Sequence, residues 1–258
     1  METIVSRTLS VHKEHEVLLK LEAAGLDDAL AQRVIDSKGN DLATKVMRLI
    51  RNGGFEPSTS QKHAREIMDH NMFGIEEAIR YFGVNPSKEQ LAALAEVPFS
   101  QEVLQSCQDT HVLVAVFPLS ILDIRGKVER QLFYGHEDAW YNKEKFAKDR
   151  GEIGWQLVRK TPVENSTSKT WNDQQVLLGE TEETPPARTM VYTIIGHYLA
   201  TNERLFQNIY VRTSSLDSDG SCVAVGVFVG AGLGIGYCWD DRRRGLGLAA
   251  SLKFQTEN

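Results

Sequence analysis

This chain of 258 residues is poor in cysteine: Cys107, Cys222 and Cys238 are its whole complement. Three thiols cannot build a disulfide framework, and their scarcity suits a reducing compartment. A charge excess is missing too. With 29 basic and 35 acidic residues the formal net charge is −6, so no global field draws the chain to nucleic acid or anionic lipid. The opening METIVSRTLSVHKEHEV lacks the apolar core of a secretory signal, and a cytoplasmic location is therefore expected. Long hydrophobic runs are absent with one apparent exception, the twenty uncharged residues from Gly220 to Trp239.

That stretch is long enough to cross a bilayer. Six of its positions are glycine, each costing a helix about 1 kcal/mol against alanine, and the mean hydropathy of the chain is −0.31. A membrane span is rejected. Gly230, Gly232, Gly234 and Gly236 imitate a dinucleotide fingerprint, but that fingerprint needs a strand feeding a helix within a βαβ unit. Only 22 residues follow Gly236, so there is no room for one. Strands and turns remain. Val223, Val225 and Val227 share one parity and Cys222, Ala224 and Gly226 the other, the period of a sheet with two different faces. Asp217-Ser218-Asp219-Gly220 before them is turn chemistry.

These residues resemble the terminal region of variable proteins diversified by retroelements, which carry a C-type-lectin-like fold shared with formylglycine-generating enzymes. The likeness runs through Val223-x-Val225-Gly226-x-Phe228, Gly232-Leu233, Trp239-Asp240-Asp241-x-Arg243 and Leu246-Gly247-Leu248-Ala249-Ala250-Ser251-x-Lys253-Phe254. It is close over the last fifth of the chain and looser over the preceding hundred residues. By that resemblance Ser221, Cys222, Ala224, Val227, Val229, Ala231, Gly234, Gly236, Tyr237, Cys238, Arg242, Arg244 and Gly245 are variable positions facing a ligand. Arg242-Arg243-Arg244 after Asp240-Asp241 reads either as local salt bridging across a tight turn, worth little on a surface, or, with Arg242 and Arg244 beside Tyr237 and Trp239, as an aromatic and arginine anchor for a protein partner. The competing reading is that these small residues pack a tight β core. Against it, cores favour Leu, Ile and Phe, which bury more apolar area.

Upstream, residues 12–108 read as short amphipathic helices between glycine and proline breaks, with Val17, Leu18 and Leu21, then Leu30, Val34 and Ile35, then Leu42, Val46, Leu49 and Ile50 at helical spacing. Further helices are expected at 61–70, 75–82 and 87–97, with Asn85 as N-cap and Pro86 as first helical residue of the last. The pair spanning 74–97 has the outline of a helix-turn-helix. It carries only Arg80 and Lys88 against Glu76, Glu77, Glu89 and Glu96, and residues 1–110 hold 12 basic and 17 acidic side chains, net −5. Nucleic-acid binding is disfavoured, and an antiparallel helical pair fits better.

At residues 111–117 a continuous apolar run reads as a buried strand, so the domain boundary is placed near Asp109. Residues 121–124, 131–134 and 154–160 are expected strands, 138–150 and 171–178 expected helices, and 187–199 the longest apolar helix. Other chemistry is thin. His12 and His15 lack the further ligands a zinc site needs. Asp217 and Asp219 suggest calcium until the twelfth position, where Phe228 replaces glutamate. Trp171-Asn172-Asp173 spells a lectin motif in the wrong place. Cys107 and His111 are a nucleophile and base without an orienting third group.

The expectation is an α+β protein: a helical module over 1–109, then a C-type-lectin-like mixed α/β ligand-binding domain over 110–258, its variable region at about 212–254. The predicted ligand is a macromolecule, expected to be a protein, with no cofactor, no metal, no membrane and no catalysis. Val223, Val225, Leu233, Trp239 and Leu248 are predicted to point inward. The alternatives are a regulator binding DNA or a partner through the N-terminal helices and, third, an enzyme.

Overall fold

The computed structural model describes residues 10–37, 43, 46–47, 58–135, 138–238 and 244–252. It divides the chain into two compact units, Met1–Pro57 and Ser58–Asn258. In the first, α1 (Val11–Ala23) is capped by Ser10, whose hydroxyl accepts from the Lys13 amide, and α2 (Asp28–Ile35) by Asp27, whose carboxylate accepts from the Leu30 amide. Neither helix has a buried residue. The helix expected from Asp41 to Ile50 falls largely outside the described residues.

The second unit begins with β1 (Thr59–Ser60), α3 (Gln61–Met68), β2 (Met72–Phe73), α4 (Ile75–Phe82), α5 (Lys88–Ala93), β3 (Glu96–Val97) and α6 (Gln101–Cys107). It continues through β4 (His111–Val116), α7 (Ile121–Lys127), α8 (Lys145–Lys148), β5 (Gly154–Arg159), α9 (Trp171–Gln175), β6 (Glu182–Glu183) and α10 (Ala187–Thr201). The last strands are β7 (Tyr210–Leu216), β8 (Cys222–Val229), β9 (Gly232–Cys238), β10 (Leu246–Leu248) and β11 (Ser251–Leu252). Among the described residues the architecture is mixed α/β with three sheets, ordered β1-β3, β2-β4-β5-β11-β6 and β10-β7-β8-β9. No helix there is long and apolar enough to cross a membrane.

Helix α10 joins the two larger sheets. Every residue from Ala187 to His197 is buried, and the helix packs on α4, α7, α8, β2, β4, β7 and β8. Its Met190, Val191, Ile194 and Ile195 must leave water, and Arg188, Thr189, Thr193 and His197 are buried with them. Phe73 and Phe82 meet the Tyr192 ring edge-on at 5.9 and 4.7 Å, and Gly196 leaves room for Phe73, whose ring a Cβ would approach to 3.0 Å.

This packing moves the boundary. Residues 59–107, assigned by sequence to the helical module, share the core of the second unit, and β2 extends its five-stranded sheet by pairing in parallel with β4 at Met72↔Leu113. Trp155 of β5 ties the same regions together, its indole N–H donating to the Leu94 carbonyl at 3.1 Å.

Local expectations fail where caps were overlooked. Residues 121–124 are helical because Ser120 and Asp123 form a capping box. Ser87, with Gln90, caps α5 in place of Asn85. Residues 131–134 hold a 3-10 turn and an isolated bridge from Phe133 to Leu233. Residues 138–150 break into a 3-10 turn and α8 because Glu144 takes extended backbone.

Removing the Phe82 ring opens a cavity at the α4–α10 contact, so Phe82→Ala should cost about 3–5 kcal/mol. The four tryptophans all lie beyond residue 109, so urea unfolding followed by their fluorescence should show a lower midpoint in Phe82→Ala; an unchanged midpoint would restore the boundary at 109.

Candidate functional site

The four-stranded sheet has two unlike faces, and its register assigns each side chain. Val211 opposes Val225, and Val225 opposes Ile235; with Val223 and Leu233 these face the main core. On the reverse face Cys222 opposes Cys238, Ala224 opposes Gly236, and Gly226 opposes Gly234, with Tyr210 and Arg212 alongside from β7 and Leu246 and Leu248 from β10. Ala224, Cys238 and Leu246 make a small apolar cluster, flanked by half-buried Tyr210 and Cys222.

That face opens onto a cleft of about 450 Å³ lined by Trp171, Arg212, Leu216, Asp219, Gly220, Ser221, Cys222 and Cys238. Its floor is held firmly. Arg212, 1% exposed, donates from Nη1 to the Lys169 carbonyl and to Gln174 Oε1, both at 3.1 Å, while Gln174 Nε2 donates to the Ser166 carbonyl at 2.7 Å. Lys169 and helix α9, which begins at Trp171, are thereby fastened to the sheet. The β7–β8 turn forms one wall. Asp217 Oδ1 accepts from the amides of Asp219 and Ser221 at 3.0 and 2.8 Å, and Glu144 accepts from the Ser218 amide at 2.8 Å.

No family model, curated protein or solved structure matches this chain.

The residues of the resemblance therefore stand on their own geometry. Cys222, Ala224, Gly234, Gly236 and Cys238 lie on the reverse face, and Ser221 lies on the cleft wall. Within that group Ala224 and Cys238 are buried, at 3% and 4% exposed, and Gly234 is buried as well. Val229 and Ala231 are exposed at the β8–β9 hairpin. Val227 departs from the valine parity: it takes φ +48° at a bulge where the ladder shifts register. Tyr237 is exposed but belongs to the core-facing parity, opposite Val223, with Trp140 edge-on at 5.1 Å. Arg244 and Gly245 are exposed before β10. Trp239 and Arg242 lie outside the described residues. Of the five residues predicted inward, Val223, Val225 and Leu233 enter the main core, whereas Leu248 packs with Val163 and Ala250 in a separate cluster.

Sequence reasoning missed Trp171 and Arg212 as cleft residues. The signal for Arg212 was present, a lone cation alternating with Val211 and Thr213 in an otherwise neutral strand. The motif Trp171-Asn172-Asp173 drew attention to Trp171 but gave no reason to place it beside the terminal strands.

Glycines on this sheet differ in what they permit. Gly226, at φ +151°, would drive a Cβ into the Ile209 carbonyl oxygen, and Gly232, at φ +103°, would bring one within 2.6 Å of the Phe133 backbone. Both belong to the frame. A Cβ at Gly234 would strike the Tyr210 hydroxyl, whereas at Gly236 the nearest atom is 4.0 Å away and at Gly230 and Gly245 nothing lies within 4 Å.

The other candidate chemistries look different in place. Cys107 keeps its proton because burial raises its pKa, and its Sγ lies 3.7 Å from Ser106 Oγ. Burial pushes the His111 imidazole down to about 4; Nδ1 bonds Thr110 Oγ1 at 2.8 Å, and Nε2 has no partner among the described residues. At rest Cys107 is a thiol and His111 a neutral imidazole. His12 forms an exposed contact with Glu16 at 3.4 Å, Asp173 completes a capping box with Thr170, and the Asp217 carboxylate is occupied by its own turn. Among the described residues no three His, Cys, Asp or Glu side chains are grouped to hold a metal ion. In the suspected helix-turn-helix, Ala78 and Phe82 of α4 are buried and Arg80 lies over Tyr81 at 5.2 Å.

Two outcomes follow from these environments. Gly226→Ala and Gly232→Ala should each cost about 2–4 kcal/mol through backbone strain and overlap, while Gly236→Ala should stay within about 0.5 kcal/mol, as read from denaturant midpoints. For His111 the folded pKa lies below the unfolded 6.5, so the unfolded chain binds a proton that the fold refuses. Stability is therefore lost as pH falls from 6.5 towards about 4, by about 3 kcal/mol at the end of that window. Urea midpoints at pH 7 and pH 5 should differ less in His111→Phe than in the parent.

Proposed function

We propose that this protein is a ligand-binding variable protein of a diversity-generating retroelement, with a C-type-lectin-like second unit, acting by recognition without chemistry. The observation that carries the reading is the β8–β9 register. Small residues are set opposite one another on one face, Cys222 with Cys238 and Ala224 with Gly236, while the interleaved Val223, Val225 and Ile235 fill the core. Ser221, Cys222 and Gly236 on that side are only partly buried and can change without disturbing the inner residues, whereas the buried Ala224 and Cys238 belong with the frame. The cleft of about 450 Å³ beside Ser221 and Cys222 supplies concavity, and the exposed Val229, Ala231, Arg244 and Gly245 extend the changeable set to the surrounding loops.

The partner is a macromolecule, and a protein by the anchor chemistry of Tyr237, half exposed against Trp140. The negative net charge weighs against nucleic acid. The three cysteines, all thiols, are the basis for placing the protein in the cytoplasm.

The test is a library randomised at Ser221, Ala231, Gly236 and Tyr237, selected for binding to a panel of immobilised proteins. The reading expects most members to unfold within about 0.5 kcal/mol of the parent and selected members to differ in target. A library in which most members fail to unfold cooperatively would contradict it.

A further inference from the structure

Cys222 and Cys238 have a relationship that a binding surface does not require. They are direct cross-strand partners in the β8–β9 ladder. Opposed residues in an antiparallel pair have Cα atoms about 4.5 or 5.5 Å apart, within the span of about 4.4–6.8 Å found in disulfides. The Cys238 thiol points across the ladder, its S–H donating to the Cys222 carbonyl at 3.3 Å. Both side chains line the cleft, Cys222 half-buried and Cys238 4% exposed. One thiol is thus accessible and the other sheltered directly behind it.

We infer that Cys222 and Cys238 form a dithiol site that closes reversibly to a cross-strand disulfide by exchange with a low-molecular-weight disulfide. The Cys222 thiolate attacks one sulfur of the small disulfide, forming a mixed disulfide and expelling the first small thiolate. The Cys238 thiolate then attacks the Cys222 sulfur, forming the protein S–S bond and expelling the second small thiolate. Two protein thiols are oxidised by two electrons, the small disulfide is reduced to two thiols, and the two protons end on them. Closure joins β8 to β9 and removes both thiols from the cleft surface. This chemistry depends on strand register alone and stands whether or not the cleft binds a partner.

Cys107 is an internal control. It is buried on α6, in the main core and outside the small cluster holding Cys238.

The test equilibrates the full chain with oxidised glutathione, counts thiols under denaturing quench and maps peptides. The expected result is a fall from three titratable thiols to one, a Cys222–Cys238 crosslinked peptide, an untouched Cys107, and recovery of all three with reduced glutathione. In Cys238→Ser the reaction should stop at a glutathione adduct on Cys222. An unchanged thiol count, a lasting adduct on Cys222 of the parent chain, a bond involving Cys107 or a covalent dimer would each overturn the inference.

Discussion

Burial of helix α10 on every side is the constraint from which the second unit takes its form. The residues from Ala187 to His197 are all withdrawn from water, and each of the large apolar ones among them would forfeit about 1.5–3 kcal/mol if exposed. Neither sheet alone can cover the helix. The five-stranded sheet covers it through β2 and β4, the four-stranded sheet through β7 and β8, and α4, α7 and α8 complete the cover. Phe73, Phe82 and Tyr192 lock the contact with edge-on rings. Two buried hydroxyls of this core are paired with strand carbonyls: the Tyr192 hydroxyl donates to the Ala115 carbonyl at 3.0 Å, and Thr213 Oγ1 to the Val223 carbonyl at 2.8 Å.

Because the core side of β7 and β8 is committed to that helix, the reverse side of the sheet is released from packing the main core. Its residues are small by register, and the few large ones have defined duties. Arg212 and Gln174 bind the α9 loop to the sheet, and Tyr210 lies across Gly234. The glycines divide in the same way. Gly226 and Gly232 hold backbone conformations and close approaches that no side chain tolerates, whereas Gly230, Gly236 and Gly245 have space beside them. The division between frame and changeable positions is therefore steric, and it splits the set of residues that resemblance alone treated as equivalent.

Much of this was legible in the sequence, and the failures have physical causes. The alternation of Val223 and Val225 with Cys222 and Ala224 disclosed both faces of β8, and the apolar run at 111–116 disclosed a strand buried along its whole length. The bulge at Val227 was not legible, because a register shift depends on the partner strand. Residues 121–124 resemble a strand in hydrophobicity, and only the Ser120–Asp123 capping box reveals the helix. The domain boundary was misplaced because β2 is two residues long and because Phe73 and Phe82 find their partner more than a hundred positions away. The site was half visible: Ser221, Cys222 and Cys238 were named from the chain, whereas the lone cation Arg212 and the motif at Trp171 carry no local sign that they meet at one cleft.

If the proposed function is right, the small residues of the terminal sheet are there to be exchanged while their neighbours are kept. Sequencing the genomic DNA beside the coding region should then find a reverse-transcriptase gene and a near-copy of the final coding stretch that differs at adenines, with differences at codons such as those of Ser221, Ala231 and Gly236 and none at Val223, Gly226 or Gly232. A locus without such a copy, or a copy whose differences fall on the frame residues, would contradict it.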